Sequence, residues 1–178
     1  RKIFKFSEGF TLMEILVSLG IIAIVGTVIA QSFFSMVRTN IKSELLNNIK
    51  QNGDFAVDVM SRMMHNAASV TTTCATSGTT TQSLAIQNSD GFTTTFSCVL
   101  DSNVARIAST SGSKTEYLTS RNVSLGVDCT NKLTFVCTGL PNQKTQVQML
   151  FTLGQVGTPL DQFEKASTAF QTTVITRQ

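Results

Sequence analysis

The sequence predicts an α+β protein, with one long N-terminal α-helix followed by an antiparallel β-sheet. Two observations carry that prediction. Apolar residues run almost unbroken from Phe10 to Ala30 and then recur at helical spacing to about Ala68. From Ser69 onward the period changes to short alternating segments separated by Thr, Ser, Asn and Gly. The expected organisation is a short basic segment at 1–9, a membrane-spanning helix at 10–31, its amphipathic continuation at 32–68, and a β-domain at 69–178.

Composition narrows the function classes. Of 178 residues only 14% are charged, the net charge is +3, and there is one Tyr and no Trp. No basic run marks a nucleic-acid surface. At this length the chain holds one domain plus an appended segment.

Residues 1–9, RKIFKFSEG, set Arg1, Lys2 and Lys5 against Glu8. Positive charge ahead of an apolar run keeps that end in the cytoplasm, although Arg38 and Lys42 on the far side weaken the bias. The missing initiator Met leaves an upstream start open. Phe10–Ala30 then supplies the ~20 apolar residues that a membrane-spanning helix needs. Gly20 and Gly26 interrupt it six residues apart, which is not the spacing of a small-xxx-small dimer seam. No charge follows Glu14 until Arg38, so Glu14 is a carboxylate at the start of the most hydrophobic stretch. An intramembrane carboxylate is costly and calls for a partner.

The helical pattern continues through Phe34, Val37, Ile41, Leu45 and Ile49. It lapses at KQNGD (50–54), where Gly53 offers the cheapest place for a bend. It resumes with Ala56, Val59, Met60, Met63 and Ala67. At ~1.5 Å per residue the whole helix would be near 90 Å long, so its first half must meet lipid or other copies of itself. Its second half is the surface on which the β-domain would pack.

Beyond Ser69, TTTCATSGTTTQS (71–83) reads as loop. SLAIQ and FTTTFSCV read as strands about an Asp90-Gly91 turn. Val123, Leu125 and Val127 alternate, as do Leu133, Phe135 and Cys137. In TQVQMLFTL the inward set is Val147, Met149, Phe151 and Leu153, and in STAFQTTVITRQ it is Phe170 and Val174. Together these predict one antiparallel sheet with a single packed face.

Cys74, Cys98, Cys129 and Cys137 form no C-x-x-C unit and have no nearby His, so disulfides in an oxidising compartment fit better than a metal site. Sequence neighbours suggest the pairs Cys74–Cys98 and Cys129–Cys137, one of three possible connectivities.

The string Gly9-Phe10-Thr11-Leu12-Met13-Glu14 resembles the processing site of type IV pilin-like proteins. In that family a short basic leader ends in Gly, and Phe, Thr, Leu and a Glu follow before a long apolar helix. The order of elements is similar too, so the resemblance implies a pilin-like fold. At motif level it covers about residues 1–35, and Glu8 stands where many members carry Lys or Arg. It implies cleavage after Gly9 by a prepilin peptidase on the cytoplasmic side and N-methylation of the new Phe10 amine. It also implies pairing of the Glu14 carboxylate with that amine on a neighbouring subunit. In low dielectric such a pair offsets part of its own desolvation.

The partners so implied are other pilin or pseudopilin subunits, the peptidase, a membrane assembly platform and its ATPase. The implied location is the cytoplasmic membrane, then a pilus or pseudopilus. KQNGDFAVDVMSRMMHNAAS resembles the helix of larger minor pilins related to minor pseudopilins of type II secretion, which favours a minor over a major subunit. A rival is cleavage by conventional signal peptidase after Val28-Ile29-Ala30, releasing a secreted domain from Gln31. An exposed Glu14 that snorkels to water is the simpler reading of that residue.

No catalytic constellation or cofactor motif is visible. His65 and the pair Asp54 and Asp58 read as helix-surface residues, and Met60, Met63 and Met64 as packing. Asn122-Val123-Ser124 matches a glycosylation sequon and leaves its use open.

Overall fold

The computed structural model describes residues 10–75, 77–139, 144–157 and 166–176. The chain divides into two compact units, one ending at Ile41 and the other beginning at Lys42. It is α+β, with a long N-terminal helix and antiparallel sheets after it.

Helix α1 spans Leu12–Asn66. Every residue from Phe10 to Ile41 is exposed, whereas Ile49, Gly53, Ala56, Met60 and Met64 are buried. Their spacing of three and four residues makes one face. Leu45, Leu46, Val57, Val59 and Met63 flank it, half-buried. The chain stays helical through Gly53, where the sequence offers the cheapest place for a bend. The reason for the glycine is contact: a Cβ at Gly53 would overlap ring atoms of Phe170. At the other end the Ala68 amide donates to the Gln87 carbonyl (2.8 Å), which draws the chain out of the helix and into a strand.

Among the described residues ten strands follow: β1 (Ser69–Val70), β2 (Thr79–Thr81), β3 (Ser83–Gln87), β4 (Thr93–Asp101), β5 (Val104–Ser111), β6 (Lys114–Tyr117), β7 (Val123–Ser124), β8 (Leu133–Thr138), β9 (Gln146–Gln155) and β10 (Ser167–Ile175). They form two sheets rather than the one expected. The first has the order β1-β3-β4-β5-β6, and the second β10-β9-β8-β2 with β7 also on β9. All pairings are antiparallel.

The split begins in the Thr-rich stretch expected to be loop. There β2 pairs with β8, Thr79 opposite Cys137, and the next strand returns to the first sheet. Backbone pairing needs no apolar side chain, which is why hydrophobic period did not reveal it. Strands β5 and β6 were likewise not anticipated. Val123, Leu125 and Val127 do not share a strand: the first two are buried, but Val127 is 92% exposed. The alternations in β8 and β9 hold, with Leu133, Phe135, Cys137, Val147, Met149, Phe151 and Leu153 all buried. Phe170 and Val174 are half-buried against that core.

The disulfides also differ from expectation. Cys74 joins Cys137 (Cα–Cα 5.2 Å) and Cys98 joins Cys129 (Cα–Cα 5.5 Å). Sequence proximity is overridden by strand register. Pairing of β2 with β8 brings the loop that carries Cys74 to Cys137, and Cys98 on β4 meets the loop entering β8. The Cys98–Cys129 bridge therefore ties β4 of the first sheet to the loop entering β8 of the second, and Cys74–Cys137 fastens the β1–β2 loop to β8. Backbone bonding adds to this tie, since the Leu125 amide donates to the Ala105 carbonyl (2.9 Å). Helix residues from Ile49 onward and both sheets share a single core.

Candidate functional site

Two places carry enough polar chemistry to be considered as sites: the start of α1 and a buried arginine in the β-domain.

At the helix start, Gly9 and the basic leader lie outside the described residues, while Phe10 is 77% exposed. Thr11 precedes the first helical residue. The Glu14 amide donates to Thr11 Oγ1 (3.2 Å) and to the Thr11 carbonyl (3.0 Å). Thr11 is thus an N-cap, and Thr11-Leu12-Met13-Glu14 has the Thr-x-x-Glu spacing of a capping box. The negative charge of Glu14 also suits the positive end of the helix dipole. The T-x-x-E spacing was the sequence signal for this local role, which stands beside intermolecular pairing and snorkelling to water.

Further along, four hydroxyls on the exposed part of the helix are satisfied within it. Ser18 donates to the Glu14 carbonyl (2.7 Å), Thr27 to Ile24 (2.8 Å), Ser32 to Val28 (2.9 Å) and Thr39 to Ser35 (2.9 Å). Such back-bonding lets polar side chains sit in hydrocarbon at small cost. Gly20 and Gly26 have no neighbour within 4 Å of where a Cβ would lie. The helix holds one segment long and apolar enough to cross a membrane, and none of that segment is buried.

No family model, curated protein or solved structure matches this chain.

In the β-domain, Arg106 on β5 is the buried cation that sequence reading overlooked. Its Nε donates to the Thr119 carbonyl (2.8 Å), and its Nη2 donates to the same oxygen. Its Nη1 reaches Asp101 Oδ2 (2.6 Å), and the guanidinium lies 4.1 Å from the centre of the Tyr117 ring. Arg121 also pairs with Asp101, at 2.9 Å. Hydrogen bonds from Arg121 and then Arg106 hold the Asp101 carboxyl below its usual range. The arrangement fastens the β4–β5 turn to the segment at 117–121. Its atoms are engaged with one another, so it reads as a clamp. The signal available in sequence was a charge inside the otherwise small or apolar run VARIA, with Asp101 and Arg121 on either side.

The remaining candidates are dispersed. Exposed His65 and Asp54 stand apart from this cluster, and Asp58 pairs with Arg62 at 2.5 Å. Met60 and Met64 are core residues, with Met63 half-buried beside them. In the sequon the Ser124 hydroxyl donates to the Gly126 carbonyl (2.7 Å) and is buried. A shallow groove is lined by Val59, Arg62, Met63 and Asn66 of α1 and by Asn88, Ser89 and Asp90 of the β3–β4 turn. Among the described residues no three His, Cys, Asp or Glu side chains converge on a metal-sized site.

Proposed function

We propose that the chain is a pilin-like filament subunit, made as a single-pass membrane precursor, processed after Gly9 and assembled through its N-terminal helix. The observation that carries this reading is the division of labour along α1. Its residues from Leu12 to Ile41 offer an exposed apolar surface, and those from Ile49 to Met64 build the core of a β-domain. An exposed apolar surface of that extent calls for lipid or for like helices. The Gly9-Phe10-Thr11-Leu12-Met13-Glu14 string supplies the remaining support, since cleavage after Gly9 would create an amine one helical turn from Glu14. Subunits leaving the bilayer would then keep register by matching that amine to a neighbour's carboxylate. The role is a minor subunit, with no catalytic activity of its own.

The N-cap favours a second reading, in which Glu14 serves only its own helix and the chain is an anchored domain. Glu14→Gln separates the two, because Gln keeps the backbone amide that Thr11 caps and the capping-box spacing but carries no charge. In source cells that possess the peptidase, the filament reading expects Glu14→Gln to be processed yet lost from sheared filaments. Full incorporation of Glu14→Gln would remove the pairing role of Glu14, and absence of the native chain from sheared filaments would favour the anchored domain. Mass spectrometry of the native N-terminal peptide tests the processing step. A peptide starting at Phe10 with one added methyl group is expected. A start at Gln31 would replace the proposal with a secreted domain.

A further inference from the structure

The two bridges are nested. Cys98–Cys129 lies inside the loop closed by Cys74–Cys137, with separations of 31 and 63 residues. This is not the pairing that an unfolded chain favours. Loop closure becomes rarer as the three-halves power of loop length, so the neighbour pairs Cys74–Cys98 and Cys129–Cys137 are together favoured roughly thirtyfold. Order of emergence points the same way. A β-domain exported behind its N-terminal helix presents Cys74 and Cys98 to the oxidising side before Cys129 and Cys137 arrive. The folded chain has no place for those neighbour pairs. Cys137 is buried, and Thr79 of β2 and Val147 of β9 stand on either side of it in the sheet. Cys74 reaches it from the loop before β2, once β2 has paired with β8. A chain closed as neighbour pairs is therefore kept out of the β8 register.

We propose that the chain is a substrate of a disulfide isomerase outside the cytoplasm, which converts the neighbour pairs into the nested ones. This rests on the membrane-precursor reading, in which the β-domain is exported behind α1, and not on filament assembly. The isomerase thiolate attacks Cys129 Sγ of the Cys129–Cys137 bridge. A mixed disulfide forms on Cys129, and Cys137 leaves as a thiolate. The Cys137 thiolate attacks Cys74 Sγ, which makes the Cys74–Cys137 bridge and releases the Cys98 thiolate. That thiolate attacks Cys129 Sγ, which makes the Cys98–Cys129 bridge and returns the isomerase thiolate. Two bridges are exchanged for two, with no net oxidation. Folding sets the direction. Only the nested pairs let β2, β8 and β9 close around Cys137, and its burial then shields that bridge from further attack.

Cell-free synthesis of the full chain into inverted membrane vesicles tests it, with peptide mapping of the lumenal product without reduction. Samples are taken before uncatalysed rearrangement, which needs minutes to hours. With a dithiol oxidase alone in the lumen, neighbour pairs should exceed nested pairs at least ~tenfold. With a disulfide isomerase added, nested pairs should predominate by a similar factor. The double variant Cys74→Ala with Cys137→Ala keeps two consecutive cysteines, and its Cys98–Cys129 bridge should close with the oxidase alone. Nested pairs formed equally with and without the isomerase would overturn the proposal. So would neighbour pairs that persist in its presence, or a double variant that needs it. A chain that never enters the lumen would instead refute the membrane-precursor reading, and the proposal with it.

Discussion

Gly53→Ala gives a sharp test of how the helix meets the sheet, because local and tertiary effects have opposite signs. Helix propensity alone favours Ala over Gly in a helix interior by about 1 kcal/mol. The structure places the Phe170 ring where the new methyl group would lie. That ring cannot withdraw freely, because it stacks on Phe151 at a centroid distance of 5.2 Å and an interplanar angle of 18°. Overpacking of one methyl group costs about 1–3 kcal/mol, and loss of the ring stack about 0.5–1.5 kcal/mol more. The net expectation is a loss of about 2 kcal/mol. With a urea slope of about 2 kcal/mol per M, the midpoint should fall by roughly 1 M. Tyr117 is the only tyrosine and there is no tryptophan, so its fluorescence reports unfolding of the β-domain. Phe170→Leu should restore part of the loss in the double variant. Gly20→Ala, with open space around it, should cause none. A higher midpoint for Gly53→Ala would refute the contact.

Three further outcomes are expected. Peptide mapping without reduction should recover Cys74 with Cys137 and Cys98 with Cys129. Their separations of 63 and 31 residues make removal of either bridge worth about 4 kcal/mol in the chain-entropy model, measurable as a lower urea midpoint. Arg106→Met should leave the Thr119 carbonyl without its guanidinium and cost about 1–3 kcal/mol, with a shift in Tyr117 emission. The Asp101 pKa is lowered in the folded state, so its stabilising contribution is full above the unfolded carboxyl pKa, about 4. It is lost as pH falls through the lower folded value. The stability gap between the native chain and Asp101→Asn should therefore hold from neutral pH to about 4 and narrow below it, as read from urea midpoints across that range.

What the sequence disclosed follows from which forces leave a periodic trace. The long helix and strands β8 and β9 bury alternate or every third to fourth side chain, and their apolar residues show it. Strand β2 is three threonines held by backbone pairing to β8, and hydroxyl side chains give no period to read. The disulfide pairing depended on that strand, so one overlooked element reversed two bridges. Gly53 was read as a weak point because glycine loosens a helix in isolation. Its reason was a ring 117 positions along the chain, which local sequence cannot show. Arg106 was passed over because buried arginine is rare, and its partners Asp101, Tyr117 and Thr119 come together only once β4, β5 and β6 are aligned.

The start of α1 shows how one short string can serve two purposes without conflict. Thr11 caps the helix through its hydroxyl, which uses the Glu14 amide and leaves the Glu14 carboxylate for other partners. In a precursor, that carboxylate would sit by the positive end of its own helix, which moderates its charge before any neighbour arrives. In an assembled filament a cationic amine would replace water around it, and the attraction would grow as the surroundings became drier. Glu14→Gln distinguishes these stages because it keeps the first and removes the second. Retained helix content with lost filament incorporation is the outcome the proposed function requires.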